Sequence, residues 1–504
     1  MRTALDSSEL DRSMVRAIAW NAAAKWIAQI LAWVSTVVVA RLLSPFDYGL
    51  LGMAGVYLNL AGLIGDAGIR DAVVTLRDLD RRQVAELNSV AVFLGIVLVG
   101  ASCAMAGPLA VFFSAPQLRL VIIVCSSTYI LNSLKVVPSA LLQKELRFRL
   151  LSTVEVTRTL IQIGVTLGCA LMGFTYWSLV YGFVAASLVG AILMLLLRPL
   201  PLSIPHFKAL RRELQFSGHV TLSNVGWYVY SNADFLVAGR MLGQAPLGDY
   251  NVAWNISSAP IEKIGNLMTN VTPAFFAAVQ HNMVELRRYV LRLTEVLSYV
   301  TVPASIGIAL LADILVPVVL GPKWMGVIGP LRLLGIFVAF RSLNTILPKV
   351  LTAIGDTSFV MWTTLAAAVI MPASFFVASR WGTNGIAAAW VVMYPVITIP
   401  VYWRMFRRIG MTAGEYISSV LPAVNASLLM TAAVLFSRWA TASLSSPLRL
   451  AILVVVGALT YGAALLAFYR QRVKRILRAV RELRKSKAQV TADSVPLVEP
   501  AEGL

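Results

Sequence analysis

Apolar runs separated by short polar gaps recur fourteen times along this chain of 504 residues, near 17–40, 49–65, 84–107, 118–141, 151–172, 176–197, 215–237, 249–272, 294–317, 326–347, 359–378, 384–403, 416–436 and 448–469. Each run holds roughly 20 residues, the length a helix rising about 1.5 Å per residue needs to cross a hydrocarbon core. The pattern therefore predicts fourteen membrane-spanning helices, and an even number brings both chain ends to one side. Residues 17–40 follow a basic start but are too long for a signal-peptide core, so no cleavage is expected.

Composition agrees: 58% of the residues are hydrophobic, 13% are charged and the mean hydropathy is +0.76. A chain this apolar needs the bilayer as its solvent, and the expected class is an all-α integral membrane protein. Charge then sets its direction. Thirty of the 43 Lys and Arg residues fall into alternate gaps or ends, against seven in the gaps between and six inside spans. The positive-inside rule places both termini in the cytoplasm of a multi-pass protein. The net charge of +19 thus reports orientation, and no nucleic-acid partner is expected. The cationic inner surface implies contact with anionic lipids instead. Cys103, Cys125 and Cys169 read as small core residues, and the three histidines lack metal-ligand spacing, so neither a metal nor a cofactor is expected.

The chain also repeats itself. VVVARLLSPFDYGLLGMAGVY around Arg41 parallels FLVAGRMLGQAPLGDYNVAWN around Arg240, pairing Arg41, Asp47 and Tyr48 with Arg240, Asp249 and Tyr250. Six spans between the copies restore the original direction, which predicts two parallel-repeat lobes around a central cavity. The expected organisation is a cytoplasmic N-terminus at 1–16, a six-helix lobe at 17–197, a cytoplasmic linker at 198–214 and a second six-helix lobe at 215–403. Two extra transmembrane helices follow at 404–469, then a basic amphipathic helix at 470–485 and a disordered tail at 486–504. Proline and cations stiffen the linker and hold it at the membrane surface.

Charges inside spans mark the candidate chemistry, because one near a helix centre costs about 2.5–3.5 kcal/mol. The six are Lys25, Lys135, Arg158, Lys263, Arg332 and Arg341, against the carboxylates Glu155, Asp234, Glu262 and near-interfacial Asp313. Arg158 could simply pair with Glu155 one helical turn away, and Lys263 with adjacent Glu262; Arg332 could snorkel. Lys25 lies on a polar stripe with Asn21 and Gln29, Lys135 on one with Asn132 and Ser139, and a third stripe holds Ser223, Asn224, Tyr228, Ser231, Asn232 and Asp234. Such stripes predict a hydrated path, or alternatively interhelical hydrogen bonding. The cationic excess favours an anionic passenger held by charge-assisted hydrogen bonds. Asp234 and Glu262 are the candidates for ion coupling, although Glu262 could stay ionised beside Lys263 and Asp234 could pair with Arg240. No phosphate loop and no outer His–carboxylate set appears, so no enzymatic activity is expected.

The segments Ala40-Arg41-Leu42-Leu43-Ser44-Pro45 with Asp47-Tyr48-Gly49, Gly65-Asp66-Ala67-Gly68-Ile69, Pro138 through Phe148, Trp177-Ser178-Leu179-Val180, and Gly239-Arg240-Met241-Leu242-Gly243 through Tyr250 carry a resemblance. In order and spacing over roughly the first 280 residues they resemble the bacterial polysaccharide flippases, the Wzx-type O-antigen and exopolysaccharide transporters of the multidrug/oligosaccharidyl-lipid/polysaccharide superfamily. The stretch Leu141–Phe148 resembles the subgroup that exports colanic-acid-like and teichuronic-acid-like polymers. Phe46 and Arg70-Asp71 depart from the family pattern. The resemblance implies a transporter that moves an undecaprenyl-pyrophosphate-linked oligosaccharide from the inner to the outer leaflet by alternating access, with polysaccharide polymerase machinery as a candidate partner. It also implies that Lys25 and Lys263, on the first and eighth spans, contact the pyrophosphate. Lys135, Arg158, Arg341, Gln29, Asn224 and Tyr228 complete the expected cavity. Two other readings are a drug/cation antiporter of the same superfamily, which would want more carboxylates inside, and a membrane polysaccharide polymerase or ligase, which would want a large outer loop.

Overall fold

The structure, a computed structural model, describes residues 29, 31–66, 68–75, 79–145, 147–201, 203–204, 221, 225–269 and 282–474, with only the backbone in 263–269. Among these there is no strand. Helices α1 (Leu31–Leu42), α2 (Pro45–Asp66), α3 (Ile69–Thr75), α4 (Arg81–Phe112), α5 (Leu118–Ser126), α6 (Thr128–Lys144), α7 (Phe148–Leu171) and α8 (Trp177–Leu197) form the first half. After the described part of the linker come α9 (225–231), α10 (Ala233–Leu242), α11 (Gln244–Thr269), α12 (Met283–Val319), α13 (Ile328–Asn344), α14 (Leu347–Ala353), α15 (Thr357–Ala378), α16 (Gly382–Ile409), α17 (Ala413–Ala440) and α18 (Ser446–Phe468). Ten stretches of the described residues are long and apolar enough to cross a membrane. One of them, Thr357–Ile409, runs 53 residues and holds both α15 and α16.

The starts of these helices are written locally. Ser44 and Asp47 bond each other reciprocally, with the Ser44 N–H and hydroxyl donating to Asp47 Oδ2 at 2.8 and 2.7 Å. Asp80 with Gln83, and Thr412 with Glu415, form capping boxes that satisfy the free N–H groups opening α4 and α17. Between α5 and α6, the hydroxyls of Ser126, Ser127 and Thr128 all donate to carbonyls three residues back. This competition with the backbone ladder divides the fourth predicted span into two pieces.

The chain forms two compact units. The first contains residues 1–256, 315–334 and 361–397. Its core is the contact of α3, α4 and α6 through Ile69, Val73, Leu87, Ala91, Val137 and Ala140, where the two alanines let the helices approach closely. The two sequence repeats meet inside this unit. A Cβ on Gly49 would lie 1.7 Å from the Gln244 carbonyl oxygen, and one on Gly248 would lie 1.8 Å from the Pro45 carbonyl oxygen. Pro45 and Gln244 are the first residues of α2 and α11, and each glycine is the fifth of its helix. The contact is therefore reciprocal, as a pseudo-two-fold relation requires. It also differs from the Asp47–Asp249 pairing suggested by sequence. Three extra residues precede Asp249, so Asp47 closes its helix start while Asp249 lies against Gly326.

Turns at the same end of this unit are tied together. Arg41 donates from Nε to the Val319 carbonyl at 2.8 Å and also to that of Val318, closing the free carbonyl end of α12. Trp324, fully buried, donates its indole N–H to the Ala40 carbonyl at 2.8 Å and meets Tyr48 edge-on.

The second unit contains residues 257–314, 335–360 and 398–504. Leu286, Val290, Leu347, Val350, Met405 and Tyr416 form its core. Asp356, in the turn between α14 and α15, accepts from Arg404 Nε at 2.7 Å and from Arg408 Nε at 3.1 Å. The Arg404 hydrogen bond holds the Asp356 carboxyl below the usual carboxylate range; burial pushes the other way, and Arg408 adds to the lowering. Arg287 pairs with Glu415, and Arg438 with Asp313. The expected amphipathic helix is described only to Lys474, and the tail, the first 28 residues and most of the linker lie outside the described residues. Cys125 is buried, Cys169 is half-buried, and Cys103, expected in the core, is exposed on a helix face.

Candidate functional site

The first unit contains a half-open cavity of about 940 Å³, lined by α2, α3, α4, α6, α7, α8 and α9. Helix α2 delivers Asn59, Gly62, Leu63 and Asp66 at i, i+3, i+4 and i+7, one face of a helix, and Arg70 follows from the start of α3. Helix α6 contributes Asn132, Lys135 and Ser139, and α7 contributes Ser152, Glu155 and Arg158. Trp227 and Tyr228 of α9 close the wall. Cations Arg70, Lys135 and Arg158 face carboxylates Asp66 and Glu155, leaving one net positive charge.

The three cations are not equivalent. Arg158 donates to Glu155 Oε2 at 2.8 Å, and its Nε lies 3.4 Å from the Ala186 carbonyl, so its charge is largely answered by the protein. Arg70 donates to Gln143 Oε1 at 3.1 Å. Lys135 has Arg158, Glu155, Asp66 and Arg70 as charged neighbours, yet its ammonium makes no hydrogen bond or ion pair among the described residues. A cation inside a span without a bonded partner is costly unless water or an anion reaches it. At the other end, the Tyr129 hydroxyl donates to the Leu58 carbonyl at 2.9 Å and the Tyr228 hydroxyl to the Val56 carbonyl at 3.1 Å, pinning both rings against α2.

Of the residues singled out by sequence, the structure brings Lys135, Arg158 and Tyr228, with Asn132, Ser139 and Glu155, into this one cavity. Gln29 is helical and half-buried but is not in the cavity wall. Arg341 lies in the second unit, its guanidinium 6.0 Å from the Phe337 ring centre. Glu262 is exposed on α11. Lys25, Asn224 and the side chain of Lys263 lie outside the described residues. Asp234 is fully buried away from the cavity wall, where Oδ2 accepts from the Tyr250 hydroxyl at 2.7 Å and the Trp390 indole at 2.9 Å. Arg240 turns elsewhere, to Ser114 Oγ at 3.3 Å and over the Phe112 ring. The sequence reading missed Asn59, Asp66, Arg70, Ser152 and Trp227 as wall residues. The helical spacing of Asn59 and Asp66 was the available signal.

Comparisons with known proteins join this geometry. The sequence pattern of a family described as "Polysaccharide biosynthesis protein" matches residues 38–329. The lipopolysaccharide biosynthesis protein WzxC of Escherichia coli K12 is 26% identical over 411 residues, covering 80% of this chain and 82% of that protein. The succinoglycan biosynthesis transport protein ExoT of Rhizobium meliloti is 23% identical, covering 92% of this chain and 95% of that protein. Among solved structures, the lipid II flippase MurJ in an inward closed conformation superposes with a TM-score of 0.70 over 90% of this chain and 100% of its own, at 13% identity. The fold is thus shared with a flippase.

Proposed function

The chain belongs to the family of polysaccharide biosynthesis proteins, and from that premise we propose that it flips an undecaprenyl-pyrophosphate-linked oligosaccharide from the cytoplasmic to the outer leaflet of a bacterial inner membrane. The observation that carries the reading is Lys135: a cation inside a span, in a cavity of about 940 Å³, without a bonded partner among the described residues. Pyrophosphate oxygens would supply the missing charge-assisted hydrogen bonds, and Arg158 and Arg70 would add a second layer of positive charge. The polyprenyl chain stays in lipid, which the fold need not enclose. Relatives that carry biosynthesis and transport in their names support the same assignment.

Alternating access supplies the movement. By the charge pattern, both termini are cytoplasmic, and the wall residues Asp66, Arg70, Phe148 and Met194 lie near cytoplasmic helix ends. The cavity then receives its ligand from the inner leaflet. The ties from Arg41 to Val318 and Val319 and from Trp324 to Ala40 then lie at the outer end, and must part for release. Lys25 and Lys263 keep their assignment as further pyrophosphate contacts, and Asp234 and Glu262 remain the candidates for coupling to an ion gradient. The cytoplasmic cations dock on anionic lipids, and a polymerase receives the flipped unit. An antiporter for cationic drugs is disfavoured by the cavity's net positive charge.

Depletion of the protein in its native cell tests the substrate class. An undecaprenyl-pyrophosphate-linked oligosaccharide should accumulate on the cytoplasmic side, resistant to an impermeant glycosidase until the membrane is opened. Absence of any lipid-linked glycan accumulation would contradict the assignment.

A further inference from the structure

The cavity wall divides by chemistry. Around Lys135 cluster Asp66, Arg70, Glu155 and Arg158, all the charges of the wall. Farther along α2 from Asp66, Tyr228 lies beside Asn59, and Tyr129 is near Tyr228. Asn59 precedes Asp66 by seven residues of one helix, a separation of ~10 Å along its axis. Trp227, next to Tyr228 in α9, is 56% exposed while lining the cavity. Its indole has neither a hydrogen-bond nor a ring partner among the described residues.

An exposed indole and an amide in the wall of one cavity are chemistry suited to a pyranose ring. Sugar C–H groups carry partial positive charge and stack on the electron-rich aromatic face. Sugar hydroxyls both donate and accept, as the Asn59 amide does. We propose that this end is a carbohydrate subsite, in which Trp227 stacks against the sugar attached directly to the pyrophosphate while Asn59 bonds its hydroxyls. The proposal rests on the reading that a lipid-linked oligosaccharide enters this cavity. It adds that the cavity reads the ligand in order, phosphates at Lys135 and first sugar at Trp227. Recognition of the ring, as distinct from the phosphates, then belongs to α2 and α9.

The test compares two probes on the purified full-length protein in nanodiscs: undecaprenyl pyrophosphate without sugar, and undecaprenyl-pyrophosphate-linked glucose. Trp227→Ala should weaken binding of the glucosylated probe about tenfold more than binding of the bare probe, whereas Trp227→Phe should keep most of the affinity for both. A melting temperature close to that of the parent protein, with retained binding of the bare probe, shows that Trp227→Ala is folded. Lys135→Ala should weaken both probes alike. If Trp227→Ala affects both probes equally, or neither, while Lys135→Ala weakens both, the carbohydrate subsite is overturned and the phosphate reading stands. If Lys135→Ala binds both probes like the parent protein, the underlying reading fails as well.

Discussion

Glu155 and Arg158 show how a single residue can tune the cavity without building it. Their pair, at 2.8 Å, leaves Glu155 65% exposed, so its contribution to stability is about 0–1 kcal/mol. Its electrostatic effect on an incoming anion is larger, because it offsets one of three cations. Glu155→Gln should therefore tighten binding of undecaprenyl pyrophosphate several-fold by equilibrium titration, with little change in melting temperature. Asp356 gives a second residue-level prediction. Its carboxyl is held low by Arg404 and Arg408, so the stabilisation is present above the ordinary carboxylate pKa of about 3.9 and is lost as pH falls through the lower folded value. Thermal melting between pH 7 and pH 3 should show an acid branch that Asp356→Asn flattens, while lowering stability near neutrality by ~1 kcal/mol. Residues of this kind are legible in sequence only in part. Lys135 and Arg158 stood out because a charge interrupts an apolar run. Asp66 and Arg70 did not, since charges at a helix end look like ordinary interfacial groups. Trp390, a partner of Asp234 from 156 residues away, carried no signal at all.

At the scale of elements, hydropathy located a helix in every expected apolar run that the structure describes, because a bilayer demands satisfied backbone bonds and leaves few alternatives. What it could not supply was register between helices. The Asp-Tyr signature aligned the repeats at Asp47 and Asp249, whereas close packing pairs the helices at Pro45 with Gly248 and Gln244 with Gly49. Contact there is backbone to backbone, and a methyl group has nowhere to go. Gly248→Ala should destabilise the protein by about 1–3 kcal/mol, the usual cost of overpacking, and should reduce the folded fraction in a detergent melt. Ala substitution at Gly414, where a Cβ meets nothing within 4 Å, is the matching control and should be close to neutral.

For the whole molecule, orientation and transport are linked claims. The charge pattern predicts that the turn holding Ser443 lies outside and the start of α17, with Gly414, inside, and both residues are exposed. In a cysteine-free background, Ser443→Cys should react with an impermeant thiol reagent on intact cells, and Gly414→Cys should react only after permeabilisation. The fold, shared at a TM-score of 0.70 with a flippase, gives the architecture but leaves the ligand to be argued from the cavity. Everything in that argument converges on Lys135. The most direct measurement is translocation of a labelled undecaprenyl-pyrophosphate-linked oligosaccharide in proteoliposomes, comparing the parent protein with Lys135→Ala and Lys135→Arg at equal abundance. The account predicts translocation by the parent protein, loss of at least about tenfold in Lys135→Ala, and partial retention in Lys135→Arg, where charge persists. Translocation by Lys135→Ala at the parent rate, or none by the parent above protein-free liposomes, would contradict it.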